Sequence, residues 1–391
     1  MKLKVFLFRS LCVLAALFCA QLSKGANTMT VADMDSIEIG LITCSPHDEV
    51  YSLYGHSALR VHDLRSDYSW VYNYGVFDFK KPHFVWRFIM GQTDYCLERT
   101  GRLRDWIDYY ADWGCQVEEQ VLDLTNNEKL HLFMALEDNW RRYPVYRYNF
   151  FYDNCSTRPR NIVERCLDGK VAYVPHPDYH PTFREMIHGC TKNHPWTAFG
   201  NDLLLGLRAD MQTTQREQQF LPVNLYHDFD HATVVRQDGT RPLVLRHVVL
   251  APLGKQPVSG EFPLSPLACT LLLLLVSVII FVMEWRRKRT AVWWDVVLML
   301  LTGLPGVLLL LMFFSEHPAT STNLQVLVLN PLALLFLPAV LRRRRTRWFT
   351  ISLCCIFVFF SGCFWQDYAE GMEFVALSLL LRYWIHRRHD K

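Results

Sequence analysis

Two kinds of apolar pattern divide the chain. From Pro266 onward, apolar residues run almost unbroken through five segments, roughly 266 to 284, 291 to 314, 324 to 341, 347 to 364 and 371 to 385. Each is about long enough to cross a bilayer core, which takes about 20 helical residues, the last only marginally. Residues 27 to 263 instead mix apolar, polar and aromatic positions as a globular domain does. At the start, Lys2, Lys4 and Arg9 precede an apolar stretch from Leu11 to Leu22 and then small residues, the layout of a secretory signal peptide. The expected division is a signal peptide over 1–25, a head over 26–263 and a membrane tail over 264–391.

Within the head, "IEIGLITC" (37–44), "HSALRVHDL" (56–64) and "YSWVYNYGVFDF" (68–79) alternate and are rich in branched or aromatic residues, which predicts neighbouring strands. "LERTGRLRDWIDYYADWG" (97–114) and "TNNEKLHLFMALEDNWRR" (125–142) predict helices. The second opens on Thr125 with Glu128 three residues on, the spacing of a capping box. "CSTRPRNIVERCLDG" (155–169) predicts a helix beginning near Cys155, from the spacing of Ile162, Val163 and Cys166 and the closing Gly169. The fold class is therefore α+β for the head, followed by an all-α bundle of about five transmembrane helices.

Composition and charge sharpen this. The hydrophobic share of 51% is high for a soluble protein, and the excess lies in the tail. The basic residues are placed unevenly. "RRKR" follows the first apolar segment, "RRRRTR" the third, and Arg382, Arg387, Arg388 and Lys391 lie at or beyond the end of the fifth, while "SEHPATSTN" and "QDYAE" carry acids and no Lys or Arg. Basic loops stay cytoplasmic, so the head lies on the outer side, in agreement with the leader. The arginine runs are thereby explained without nucleic acid.

An exported head can form disulfides, and it holds six cysteines: Cys44, Cys96, Cys115, Cys155, Cys166 and Cys190. Their pairing is not legible in sequence. Cys155 differs from the others in setting, because "FFYDNCSTRPR" (150–160) places it among polar residues, before two arginines and at a helix start. A thiol there is stabilised as thiolate by the roughly half positive charge of the helix N-terminus. A thiol nucleophile needs an imidazole, itself oriented by a third polar group. His56 in "EVYSLYGHSALRV" is the candidate, since it follows Gly55 at a strand start, where glycine permits close approach. The alternative is a partly buried strand histidine bonded to backbone, and spacing does not decide between them.

"YGHSALRV", "YNYGVFDF" and "FFYDNCSTRPR", in that order and followed by several spans, resemble the lipoprotein N-acyltransferase family of the Lnb type, found in Bacteroidetes. The resemblance covers the motifs from about Glu38 to Leu167 and the layout of the tail. It implies a permuted papain-like (NlpC-like) extracytoplasmic domain, with the histidine strand ahead of the cysteine helix. It implies Cys155 as nucleophile, His56 as general base and later acid, and Asn73 as the orienting residue, although alternation with Tyr72 and Tyr74 leaves open which side chain faces the site. Arg158, Tyr54, Ser57 and Asn154 are the expected substrate-binding residues, Arg158 toward a lipid phosphate, with Arg160 the weaker candidate. The implied partners are a phospholipid acyl donor, a diacylated lipoprotein acceptor and the membrane, with no nucleic acid. The implied location is the bacterial inner membrane, multi-pass, with the catalytic domain in the periplasm. The aromatic residues from Tyr146 to Tyr152 are expected to close the site against water.

Two other readings stand beside this one. A membrane-anchored cysteine peptidase or amidase acting on cell-wall peptides would use the same thiol, but needs one anchor rather than five spans. A non-catalytic receptor would hold Cys155 in a disulfide. His176, His180, His188, Cys190 and His194 in "PHPDYHPTFREMIHGCTKNHP" (175–195) have the residue types of a zinc site, but prolines interrupt them and no CxxC or HExxH framework is present. The expectation is an ordered loop near the membrane, no metal and no cofactor.

Overall fold

The structure is a computed structural model and describes residues 29–256, 260 and 262–389. The predicted signal peptide lies outside the described residues. Among the described residues ten strands are formed: β1 (Ile37–Cys44), β2 (His56–Asp63), β3 (Tyr68–Val76), β4 (Asp94–Thr100), β5 (Val117–Leu122), β6 (Val145–Arg147), β7 (Lys170–Ala172), β8 (Thr233–Arg236), β9 (Gly239–Pro242) and β10 (Val244–Ala251). Seven of them make one antiparallel sheet in the order β10-β5-β1-β2-β3-β4-β6, and β7, β8 and β9 make a small second sheet.

Strand alternation sorts the large sheet into two buried faces. Ile37, Ile39, Leu41, Leu59, Val61, Tyr72 and Tyr74 point to one side. Two helices lie between β3 and β5, α1 (Phe84–Ile89) and α2 (Leu103–Asp112), and two follow β5, α3 (Asn126–Arg142) and α4 (Thr157–Cys166). The first face is covered by α3 through Leu132, Phe133 and Leu136 and by α4 through Ile162 and Val163. Ile42, Cys44, Ala58, Val71 and Val117 point to the other face, where Trp106, Ile107 and Tyr110 of α2 pack. The capping box of α3 forms as its spacing predicts: Thr125 N–H donates to Glu128 Oε2 at 2.8 Å, and Glu128 N–H donates to Thr125 Oγ1.

Two expectations require correction. The stretch 97–114 is not one helix, because Leu97 to Thr100 belong to β4, where Tyr95 and Leu97 are buried and Val71 pairs with Thr100. Cross-strand packing overrides the local helical pattern there. The stretch 175–195 is not a loop throughout. It contains α5 (Phe183–Thr191), opened by a Thr182–Glu185 capping box, and the start of α6 (Pro195–Leu204), with proline at its first position. Two further helices complete the head, the single turn α7 (Gln215–Gln218) and α8 (Pro222–His231).

The tail consists of α9 (Pro266–Arg287), α10 (Val292–Phe313), α11 (Leu332–Leu341), α12 (Trp348–Gly362) and α13 (Met372–His389). Among the described residues three segments are long and apolar enough to cross a membrane: Pro266–Arg287, Val292–Phe313 and Leu324–Leu341. The third is broken, because a short 3-10 turn over Leu324–Leu327 is followed by Asn330 and Pro331 before α11 begins. Glu284, Asp295, Arg382 and His386 come together at the basic end of the tail, where Arg382 bridges Glu284 and Asp295, and His386 meets Asp295 at 3.0 Å.

Head and tail are joined by α6. Phe199, Leu203 and Leu204 pack into the tail core, and the carbonyls of Asp202 and Leu203 accept from Gln325 and Asn323 at 2.7 Å each. Behind this joint the buried Arg184 holds Asp202 and Asp210. A buried guanidinium satisfied on several sides fixes orientation because every alternative leaves a charge unpaired.

Candidate active site

His56 starts β2 immediately after Gly55, whose φ of +75° lies in the left-handed region. A Cβ at Gly55 would stand 2.8 Å from the Cys44 carbonyl oxygen, so only glycine lets the turn close against β1. Leu59 pairs with Tyr72 across β2 and β3, and continuing that register sets Asn73 diagonally from His56 on the same face. The question left by alternation is answered by the neighbouring tyrosines. Tyr72 and Tyr74 turn to the opposite face, where their hydroxyls donate to Glu137 and Asn139 of α3. Asn73 Oδ1 meets His56 Nε2 at 2.5 Å. With Nε2 engaged, Nδ1 is left for a partner on the other side of the ring. The imidazole also stacks on Tyr110 of α2, with centroids 6.0 Å apart.

Cys155 is that partner. It stands two residues before α4, in a turn built by Asn154, whose side-chain oxygen accepts the N–H groups of Ser156 and Thr157 at 2.8 and 2.9 Å. Asn154 Nδ2 donates to the carbonyls of Phe150 and Phe220, and Thr157 Oγ1 accepts from the Asn154 N–H. Asn154 is thus the cap that satisfies the first donors of α4 and aims the preceding thiol at the sheet. Gly75 faces it from β3: with φ of +92°, its position for a Cβ lies 3.5 Å from Cys155 Cβ, 3.9 Å from the Tyr148 ring and 4.0 Å from the Tyr146 hydroxyl.

Burial pushes the Cys155 thiol up, but the charge of His56, its hydrogen bond, the Ser57 N–H and the Ser156 hydroxyl together outweigh burial and hold it below an ordinary thiol. For His56, burial acts downward, and the Cys155 charge and the hydrogen bonds to Cys155 and Asn73 bring it above an ordinary imidazole. The two shifts are one event, the formation of a thiolate–imidazolium pair. Cys44 behaves in the opposite way, its thiol held well above the ordinary range by burial and by the nearby sulfurs of Cys115 and Cys155. Cys155 is a free thiol, as are the other five head cysteines.

The model of the Lnb N-terminal periplasmic domain matches residues 27–187, and that of the Lnb transmembrane domain matches residues 258–391. The chain belongs to the Lnb family. No curated protein and no solved structure matches it. The periplasmic match contains His56, Asn73, Tyr146 and Cys155, and the transmembrane match contains every helix of the tail. The Lnb chain is therefore a membrane protein with a periplasmic α+β domain in which the histidine strand precedes the cysteine helix.

The other residues singled out in sequence are distributed differently. Asn154 and Ser57 are buried beside Cys155, and each is bonded within the protein, Ser57 Oγ to Ser156 Oγ at 3.2 Å. Arg158 does not present a free fork. Its Nε and Nη2 donate to the two Asp153 oxygens at 2.7 Å each, and its guanidinium lies 3.5 Å above the Tyr146 ring. Arg160 is buried against Gln219 and the Arg216 carbonyl. Tyr54 bonds Asn201 of α6 at 2.8 Å and packs edge-on to Phe150, at the head–tail joint. His176 and His188 go to separate carboxylates, Asp228 and Asp202. The sequence reading did not single out Tyr110, Gly75 or the hydroxyl of Tyr146. The signal for Gly75 was present, since a glycine inside the aromatic run "YNYGVF" marks a close approach.

Proposed function

We propose that this protein is a lipoprotein N-acyltransferase that moves an acyl chain from a membrane phospholipid to the N-terminal amine of a diacylglyceryl-cysteine lipoprotein. The observation that carries the reading is the Cys155–His56–Asn73 constellation on a periplasmic domain locked to a membrane tail. Cys155 Sγ attacks the ester carbonyl carbon of the phospholipid. The carbon–oxygen ester bond breaks, His56 gives its proton to the departing alkoxide, and a lysophospholipid leaves. The acyl chain is now held as a thioester. The acceptor's α-amine attacks the same carbonyl, the carbon–sulfur bond breaks, and His56 takes the amine proton, restoring the ion pair. Dividing the transfer in this way replaces attack of an amine on an ester by two easier steps.

Tyr146 supplies the donor for the oxyanion of both tetrahedral intermediates. Its hydroxyl is buried beside Cys155 and has no hydrogen-bond partner among the described residues. Burial pushes its pKa up, so the group keeps its proton, and Arg158 over the ring polarises the O–H. Tyr146→Phe is expected to slow acylation of Cys155 about a hundredfold, the typical loss of one oxyanion donor. Iodoacetamide alkylation of Cys155 should be unaltered, because alkylation forms no oxyanion. Equal loss in both reactions would make Tyr146 a packing residue.

The reaction itself is tested by mass spectrometry. Protein incubated with phospholipid alone should gain one fatty-acyl mass on the peptide containing Cys155, labile to neutral hydroxylamine. A diacylated lipoprotein peptide added afterwards should gain that acyl group on its amine, and the same peptide acetylated at the amine should not. Cleavage of cell-wall peptides without acyl transfer would replace this reading with the amidase one.

A further inference from the structure

Apolar side chains are exposed in one place on the head where water should not be their partner. In the segment from Phe79 to Met90, which contains α1, Phe79, Val85, Trp86 and Phe88 are 64, 70, 51 and 46% exposed. Its height relative to the bilayer is set by the tail. Glu316 N–H donates to the Met90 carbonyl at 2.9 Å, and His317 Nε2 donates to the Phe88 carbonyl at 2.7 Å. Gly91, with φ of +69°, lets the two backbones touch, since a Cβ there would be 2.9 Å from His317 N. These partners lie just beyond Phe313, the last residue of α10 at its outer end. The segment therefore stands at headgroup level, where aromatic side chains and cations are both stable. Lys80, Lys81 and His83 are exposed on it, and Arg87 is held by Asp94.

From this segment a file of rings leads to the thiol. Phe79 and Phe77 are 4.7 Å apart, Phe77 and Tyr95 4.8 Å, and Tyr95 stacks on Tyr148 at 4.0 Å. Tyr148 stands beside Gly75 and Cys155. An acyl chain moving along this file would stay in apolar contact, whereas an exposed route would leave its methylenes in water.

We propose that residues Phe79–Met90 are a lipid portal: α1 lies in the outer leaflet of the bilayer, with Val85 and Trp86 among the acyl chains and Lys80 and Lys81 at the phosphates. A phospholipid loosened there enters along Phe77, Tyr95 and Tyr148. The route rests on the acyltransferase reading, while the contact of α1 with lipid does not. Basic flanks and continuity with a membrane span together favour a lipid surface over a protein partner.

Both parts are tested with the full chain in vesicles of phosphatidylethanolamine and phosphatidylglycerol. Trp86→Phe should remove a measurable share of the tryptophan emission that brominated phospholipid quenches in the unsubstituted protein. Unchanged quenching overturns the lipid contact, whatever the enzyme's reaction. Val85→Asp with Trp86→Asp should lower acylation of Cys155 by vesicle phospholipid about tenfold or more, the equivalent of one lost apolar anchor. Acylation by the water-soluble ester p-nitrophenyl butyrate should not change. Loss of both reactions would make the segment part of the catalytic fold, and loss of neither would place the portal elsewhere. Loss only of discharge to the acceptor peptide would make it a docking site for the lipoprotein. Absence of any acylation by phospholipid in the unsubstituted protein defeats the acyltransferase reading and the route together, leaving the quenching result to decide the lipid contact.

Discussion

Replacing His56 by alanine is expected to lower acyl transfer about a thousandfold or more, since it removes the base, the acid and the charge that holds the thiolate. Cys155→Ser should cost at least as much. The double variant should be no worse than the poorer single one, because the two side chains act as a unit. The pH dependence separates this from a folding defect. Cys155 is held below an ordinary thiol because His56, Ser57 and Ser156 outweigh burial. Its thiolate therefore accumulates at lower pH than in a free cysteine, and iodoacetamide should react with it there. Without His56, burial remains and its largest opponents are gone, so the alkylation profile should move to higher pH. Alkylation of Cys155 that begins at the same pH in both proteins would remove the ion pair from the mechanism. So would a His56→Ala variant that transfers acyl groups at the normal rate.

Arg382→Ala is expected to destabilise the tail on the order of 3–5 kcal/mol, the cost of leaving buried charges without their partner. Arg382 is 2% exposed and is the only guanidinium between Glu284 of α9 and Asp295 of α10, as far as the described ion pairs go. Both acids are themselves buried, so losing the arginine leaves Glu284 without its cation and Asp295 with His386 alone. Thermal unfolding of the purified protein in detergent should show a lower midpoint. Adding Glu284→Gln and Asp295→Asn to Arg382→Ala should recover much of the loss, since the stranded charges are then absent. A single variant with an unchanged midpoint would mean that the helices are held by apolar packing alone. The protein that remains folded should transfer acyl groups normally, because the cluster is at the basic end of the tail and not at Cys155.

Much of the molecule could be read from local pattern. Strands β1 to β3 are visible because alternation with branched and aromatic residues has few other solutions, and α3 because its cap and its apolar stripe agree. Among the described residues, the segments Pro266–Arg287, Val292–Phe313 and Leu324–Leu341 follow from length and apolarity, whereas of the five expected spans Trp348–Gly362 is shorter and Met372–His389 carries several arginines. Cys155 stood out by its setting, a thiol before a helix among polar residues, whereas the glycine before His56 made it only a candidate and the family resemblance supplied its expected role. Stretches where tertiary contacts compete with local preference were misread. Leu97 to Thr100 have helical neighbours in sequence but a strand neighbour in space, and the proline-interrupted stretch 175–195 hid the capped helix α5 and the proline-led start of α6.

What local pattern could not reach is everything that depends on which face a side chain takes and what stands opposite. Asn73 meets His56 because Tyr72 and Tyr74 are both claimed by α3, a parity set by β2–β3 register and not by the residues themselves. Arg158 turns from an expected phosphate ligand into a clamp on Asp153 and Tyr146, because the carboxylate five residues back on the chain reaches it first. Asn154 is a cap and not a contact, because the turn before α4 is buried against Phe150 and Phe220. The sequence by itself determined the two-part architecture and the side of the membrane on which the head lies, since these follow from periodicity and loop charge. Only the tertiary structure decided the third member of the constellation, the orphaned Tyr146 hydroxyl and the position of α1 at the outer end of α10, because each arises from contacts between residues far apart in the chain.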